Sequence, residues 1–363
     1  MAPTACGDRL PAVTLAPLRA LLDDVALIEH SVLAVPDLTS GHCTDDAGRA
    51  LALACAMPND AEARPVAERC LGFLCEMHVR GGQFRLRDRP PGGGAATSDD
   101  ASGRAIHGIG IAAALAPWSA VSTSARHLFA DVVDFDTPHL RARAHAVLGA
   151  AAVAAAGGRP PPGTRELVDR LVVGLDVALA GDWPWPEPRL SYGNAILVEA
   201  RLAAASLRDD ARAIERALRV LRWLVGIETM PGHFSPTPVG GWGPGEPRPG
   251  FDQQPIEAWT LADAALRAFE ITGDTSWATT VHSAAGWFAG SNDTGVMMWD
   301  PSTGRAYDGL QRHGVNRNEG AESALALVGT LRAVERVDAS VAAIGTSSRI
   351  RPQAGQRGAP ADG

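Results

Sequence analysis

From about residue 14 to residue 337 the chain repeats one pattern, an apolar stripe at helical spacing followed by a break, and every second stripe opens on a polar turn. Such stripes begin near Leu15, Asp45, Ala61, Ser98, Ala120, Thr137, Thr164, Tyr192, Asp209, Gln253, Thr275 and Glu319, roughly twelve helices. The breaks at Pro90–Gly94, Gly157–Pro162, Pro184–Pro188 and Gly240–Pro249 carry helix-stop and turn chemistry. Strand-type alternation is confined to Gly295–Trp299, where it suits a short hairpin. The polar first turns read TDDAGRA from Thr44, SDDASGRA from Ser98, DTP from Asp136, SYGNA from Ser191, FDQQP from Phe251 and NEGAE from Asn318. The first two differ by one inserted residue, the mark of a degenerate hairpin repeat. Six hairpins with polar starts on alternate helices predict an all-α fold, an (α/α)6 toroid whose inner helices aim their N-termini at one shared mouth. Residues 1–13 and 338–363 lack sustained periodicity and are expected to be disordered flanks of a single toroid over 14–337.

Composition supports helices and narrows the partners. Hydrophobic residues make up 46%, largely Ala and Leu, against two Tyr and eight Phe. A net charge of −8 argues against nucleic acid or an anionic membrane as partner and suits a neutral substrate. The most apolar run, Ala144–Gly157, is too short to span a bilayer and reads as a packed small-residue helix. The N-terminus lacks a charged region followed by an apolar core, and the five cysteines (Cys6, Cys43, Cys55, Cys70, Cys75) lack ligand pairing, with Cys70 and Cys75 read as buried on one helix. A soluble cytoplasmic protein is the simplest expectation. No HExxH, no G-x-S-x-G elbow and no Gly-rich nucleotide loop occurs, so neither metal nor cofactor is expected.

For Thr44 and Ser98 taken alone, N-capping is as good an account as function. The Asp-Asp pairs that follow need more, because adjacent carboxylates repel and only one can serve the local backbone. Helix dipoles hold part of that charge. Arg49 and Arg104, about four residues on, suit helix-face ion pairs that orient the aspartates.

These motifs resemble a known group. The run HSVLAVPDLTSGHCTDDAGRAL, from His30 to Leu51, is similar to the GYCTDDNARAL signature of helical-toroid domains found beside, or fused to, retaining glycosyltransferases. SDDASGRAIHG resembles their SEDSHGRALWA, WPWPEPRLSYGNA resembles WPWFEDxLTYDNA, and GHFSP, FDQQPIEAW, YDGL and VNRNEGAESALA follow, so the likeness covers nearly all of residues 14–335. It implies a six-hairpin glycosidase-like toroid acting on a mannose-containing or similar oligosaccharide, with a separate glycosyltransferase as a partner. The chain departs from the pattern at Ala47, Ser102 and Gly193, where the resembled domains carry Asn, His and Asp. Each departure removes a polar group from the expected mouth, which points to weakened activity, changed specificity or a purely binding role.

Glycoside hydrolysis needs one carboxylic acid for the leaving oxygen and one carboxylate that activates water or attacks the anomeric carbon, about 6.5–9.5 Å apart in an inverting enzyme. The catalytic pool is Asp46, Asp100, Glu187, Asp252, Glu257 and Glu322. Glu187 follows Trp183 and Trp185 in a Pro-stiffened loop, where an apolar wall could raise its pKa, although a surface loop with its Trp packed on the ring is the slightly better account. Substrate-binding candidates are His42, Asp45, Asp99, Tyr192, Asn194, His233, Gln253, Gln254, Asp308 and Asn318, with Trp183, Trp185, Trp242 and Trp259 as stacking platforms and 232–250 as a loop over the cleft. Two other readings compete: a non-catalytic glycan-binding subunit, and an epimerase or isomerase, which needs a histidine pair facing the ring centre. His107 and His145 are the inner-helix histidines that suggest it.

Overall fold

The computed structural model describes residues 10–89, 96–175 and 181–349. Among them are eleven α-helices: α1 (Thr44–Ala56), α2 (Ala63–Met77), α3 (Asp99–Leu115), α4 (Ser119–Asp131), α5 (Leu140–Ala155), α6 (Thr164–Val172), α7 (Asn194–Ser206), α8 (Ala211–Ile227), α9 (Pro255–Thr272), α10 (Ser276–Phe288) and α11 (Ala321–Arg349). The odd-numbered helices pack side by side in chain order, and α11 closes the ring on α1, while the even-numbered helices stand outside. The expected toroid is therefore present, with the twelfth position held by a short 3-10 helix over Ala16–Ala20 packed on α11. Its Leu18 and the flanking Leu15 and Leu21 are all fully buried, and a spacing of three stacks side chains along one edge of a 3-10 helix rather than an α-helix.

Small residues let the inner helices approach closely on one side of the ring. A methyl group on Gly48 would stand 2.5 Å from the Arg104 carbonyl of α3, and one on Gly103 would stand 2.5 Å from the Ala142 carbonyl of α5. Gly108 faces Gly48, and Gly110 faces Gly149, so α1, α3 and α5 meet backbone to backbone. Ala144–Ala155 of that run is thus the middle and end of the inner helix α5, buried by its neighbours as far as Ala151 and exposed at its end.

Several local expectations change. Ser98 does cap α3, accepting from Ala101 N at 3.3 Å, whereas the Thr44 hydroxyl leaves its helix and donates to the Arg85 carbonyl at 2.6 Å. Paired strands are Ser31–Val32 with Val35–Pro36, Thr229–Met230 with His233–Phe234, and Gly309–Gln311 with Gly314–Asn316. The 295–299 segment contributes a single bridge, Trp299 to Ala306, because strands of two or three residues are too short to write an alternation. Helix α11 runs past the expected boundary at 337 to Arg349, carried by the helix formers Ala339, Ala342 and Ala343; residues 350–363 and most of the N-terminal flank lie outside the described residues. Cys70 is buried on α2, but Cys75 on the same helix is exposed, five positions being more than one turn. Among the described residues no helix is long and apolar enough to cross a membrane.

Candidate functional site

Because the inner helices run parallel, their first turns meet at one end of the ring, where they line a cavity of about 310 Å³. Asp45 and Arg49 come from α1, Asp100 and Arg104 from α3, Arg141 and His145 from α5, Glu322 from α11, and Tyr192, Gly193 and Gln254 from the turns before α7 and α9. The charges interlock across helices. Arg49 donates to Glu322 at 2.7 Å, and Arg104 stands 3.5 Å from both Asp45 and Asp100. The Tyr192 hydroxyl donates to Asp100, and burial, together with this bond, raises the phenol to about 12. Arg141 lies over the Tyr192 ring, 4.8 Å from its centre, and holds Glu187 with two bonds of 2.8 and 2.9 Å, the fork geometry that guanidinium and carboxylate share. Asp99, Asp100, Glu187 and His139 line an adjoining groove of about 620 Å³ that shares Asp100, Arg141 and Tyr192 with the cavity. Positive helix ends and three arginines can hold these acids together.

Behind the cavity stand two carboxyls of unusual acidity. Burial lifts Asp46 to about 8, against the pull of Arg49, whose guanidinium donates to it at 2.8 Å. Burial, with the Glu228 carboxylate nearby, likewise lifts Glu257 to about 8; it accepts from the Gly193 N–H at 2.7 Å. Neither is among the residues lining the cavity. At the cavity floor His145 brings its Nδ1 to 3.4 Å from Nδ1 of His107, on α3. Burial, with Arg104 and other arginines close by, holds His145 well below the usual imidazole range.

No protein-family model and no curated protein matches the sequence. Solved structures do match in shape. A sugar epimerase from a ruminal bacterium superposes with a TM-score of 0.63 at 13% identity, covering 91% of this chain and 98% of the epimerase. A D-mannose isomerase gives 0.62 at 14%, covering 90% and 95%, and a GH76 α-mannanase from Bacteroides thetaiotaomicron gives 0.59 at 9%, covering 93% and 96%. The fold is the (α/α)6 toroid that these enzymes share.

Within this toroid the predicted residues divide into three sets. Asp45, Asp100, Tyr192, Gln254 and Glu322 line the mouth cavity, and Asp99 and Glu187 line the groove. A second set supports the mouth from behind: Asp46, Glu257 and Asn194, which is buried and bonded to Arg141 and the Ser191 backbone. The remainder serve the scaffold. His42 is clamped between Asp88 at 2.8 Å and Asp23 at 3.0 Å, and Gln253 is buried, accepting from Trp287 Nε1 at 2.8 Å. His233 pairs with Asp293 at 3.1 Å, Asp308 accepts from Gly320 N and Ser323 Oγ at the start of α11, and Asn318 accepts from Leu33 N at 3.0 Å. Asp252 is exposed, and its carbonyl bonds Val239 N.

Trp183, Trp185 and Trp242 pack on one another and on Trp223 rather than on the cavity, and Trp259 of α9, 8% exposed, stands against Gly329 of α11. Trp183 meets Trp223 and Trp242 edge to face, and Trp185 stacks on Trp223 of the outer helix α8, 5% exposed. The 232–250 loop instead reaches the cavity wall through Val239. Of the three departures from the resembled motifs, Gly193 alone lines the cavity; Ala47 is buried, and buried Ser102 accepts from Phe84 N and donates to Ser98 O. Substitutions at Ala47 and Ser102 therefore take no polar group from the mouth. The sequence reading missed Arg141 as a site residue and gave His145 only to the competing reading. The Arg-Ala pair at 49–50 and 104–105, repeated at 141–142, was the available signal.

Proposed function

We propose that the protein is a carbohydrate-active enzyme of glycoside-hydrolase type that acts on a neutral, mannose-containing or similar oligosaccharide in the N-terminal mouth of the toroid. The observation that carries the reading is the convergence of Asp45, Asp100 and Glu322, from three inner helices, on one cavity that opens into a larger groove. A cavity joined to a groove suits a chain of sugars better than a single ring. The arginines and Tyr192 offer fixed donors for hydroxyls, and carboxylates on separate helices can take the acid and base roles that adjacent residues cannot share. Incubation with a panel of manno- and gluco-oligosaccharides, followed by product chromatography, tests it: shorter products are expected. Binding with no turnover would favour a glycan-binding subunit that serves a separate glycosyltransferase.

One observation favours a second reading. His145, held neutral at the cavity floor and flanked by arginines, is suited to take a proton from the carbon beside a sugar carbonyl, the guanidinium groups holding the enolate oxygen. An epimerase or isomerase would leave chain length unchanged and carry solvent deuterium into the product at that carbon; hydrolysis does neither.

A further inference from the structure

The mouth cavity does not end at His145. A constriction of about 40 Å³ continues along the ring axis, sharing Arg49, Arg104, His145 and Thr260 with the mouth. The constriction in turn shares Ala52, His107, Trp259 and Asp263 with a cavity of about 600 Å³ at the opposite face, where the inner helices end. A water molecule needs about 10–15 Å³ of such space, so the constriction has room for a short file of waters. His145 stands at its front, His107 and Asp263 at its rear, and the two imidazoles touch through Nδ1.

We propose that the ring axis is a water and proton path, with His145, His107 and Asp263 passing protons between the mouth and the opposite face. The proposal rests on the mouth being the place of chemistry. An oligosaccharide seated in the cavity and groove covers the front opening, and the axis is then the remaining route to solvent. Hydrolysis consumes one water. Its O–H proton goes to a mouth carboxylate, its oxygen bonds the anomeric carbon as the glycosidic C–O bond breaks, and the leaving oxygen takes a proton from the acid. The next turnover needs a new water and the transfer of the proton from base back to acid, and the axis can supply both.

The side chains suit this role. A neutral imidazole accepts a proton on one nitrogen and donates from the other. Arg49, Arg104 and Arg141 around His145, and Arg267 beside His107, disfavour charge on either ring, and burial together with Arg267 lowers His107 to about 4. At the rear, burial and the neighbouring Glu199 lift Asp263 to about 7, opposed by Arg332 at 3.9 Å, so this carboxyl can hold or release a proton near neutrality.

The test reads the ring nitrogens of histidine-labelled full-length protein by ¹⁵N NMR, without substrate. A working relay averages both rings between tautomers. Ala52→Phe, which fills the constriction without changing charge, and Asp263→Asn, which removes the rear proton carrier, should each fix the rings in single tautomers. Fixed tautomers in the wild type, or averaging that neither variant alters, would overturn the path. Where a panel sugar is turned over, Ala52→Phe should also lower kcat about tenfold at constant KM, more for longer chains; an unchanged kcat counts against the proposal. If no sugar is turned over the functional reading fails, and the tautomer measurement still decides the relay.

Discussion

Aligned from their first residues, TDDAGRA of α1 and SDDASGRA of α3 pair Asp46 with Asp100; aligned on their arginines, they pair Asp45 with Asp100 and leave Asp46 opposite Ala101. The second alignment is the one the fold obeys. Asp45 and Asp100 both line the mouth and both stand 3.5 Å from Arg104, whereas Asp46 is buried beneath Arg49. Gly48 and Gly103 also fall together, each admitting the backbone of the next inner helix. Asp45 and Asp100 each stand four residues before the arginine of their own helix, so alignment on the arginines pairs the two acids that reach the cavity. In α1 an additional acid is left over, and burial drives it toward its neutral form.

This pairing can be broken experimentally. The largest effect is expected on turnover: Asp45→Asn and Asp100→Asn should each lower kcat/KM by about 100-fold or more, the size of a lost acid or base, while Asp46→Asn stays within about fivefold. Equal losses at Asp45 and Asp46 would restore the alignment from the helix start. Next in size, Gly48→Ala and Gly103→Ala should each cost about 1–3 kcal/mol in urea unfolding, because the added methyl meets a backbone carbonyl that cannot yield cheaply. A cost at one site alone would show that the two turns are not equivalent.

The leftover acid should show in the pH dependence of stability. A carboxyl lifted from 3.8 to about 8 is protonated in the folded state over a range where the unfolded chain has already ionised it. Its stabilising contribution is complete below pH 4 and is lost as pH rises toward 8. Asp46→Asn should flatten the fall in urea midpoint between pH 4 and 8, and Glu257→Gln should do the same for the other lifted carboxyl. The smallest effect is expected at Ser102, opposite Ala47. Ser102→Ala strands the buried Phe84 N–H and should cost about 1 kcal/mol, with turnover unaltered. A large loss of turnover instead would return this position to the mouth.

What the sequence could reveal was local. The apolar period and the polar first turns were enough for the ring, its six inner helices and the gathering of Asp45, Asp100 and Glu322 at one end, because each depends on residues within a few turns of one another. The roles of His42 and Gln253 depended on distant partners, Asp23 and Asp88 for one and Trp287 and Asp293 for the other. Nothing in a single stretch of sequence says that Trp183, Trp185 and Trp242 will find Trp223 before they find a sugar. Asp46, expected in the catalytic pool, lies behind the cavity beneath Arg49, and no feature of its own helix turn distinguishes it from Asp45.

The close contacts among α1, α3 and α5 bear on how such a ring can change. Where Gly48 meets Gly108 and Gly110 meets Gly149 there is no side chain to shorten and no gap to widen, so that arc acts as a fixed jaw. Across the axis Gly329 of α11 receives the Trp259 indole of α9, a spacer that can be trimmed or exchanged. Variation in bore, whether by selection or by engineering, is therefore directed to the α9–α11 side, where Trp259 is the adjusting screw.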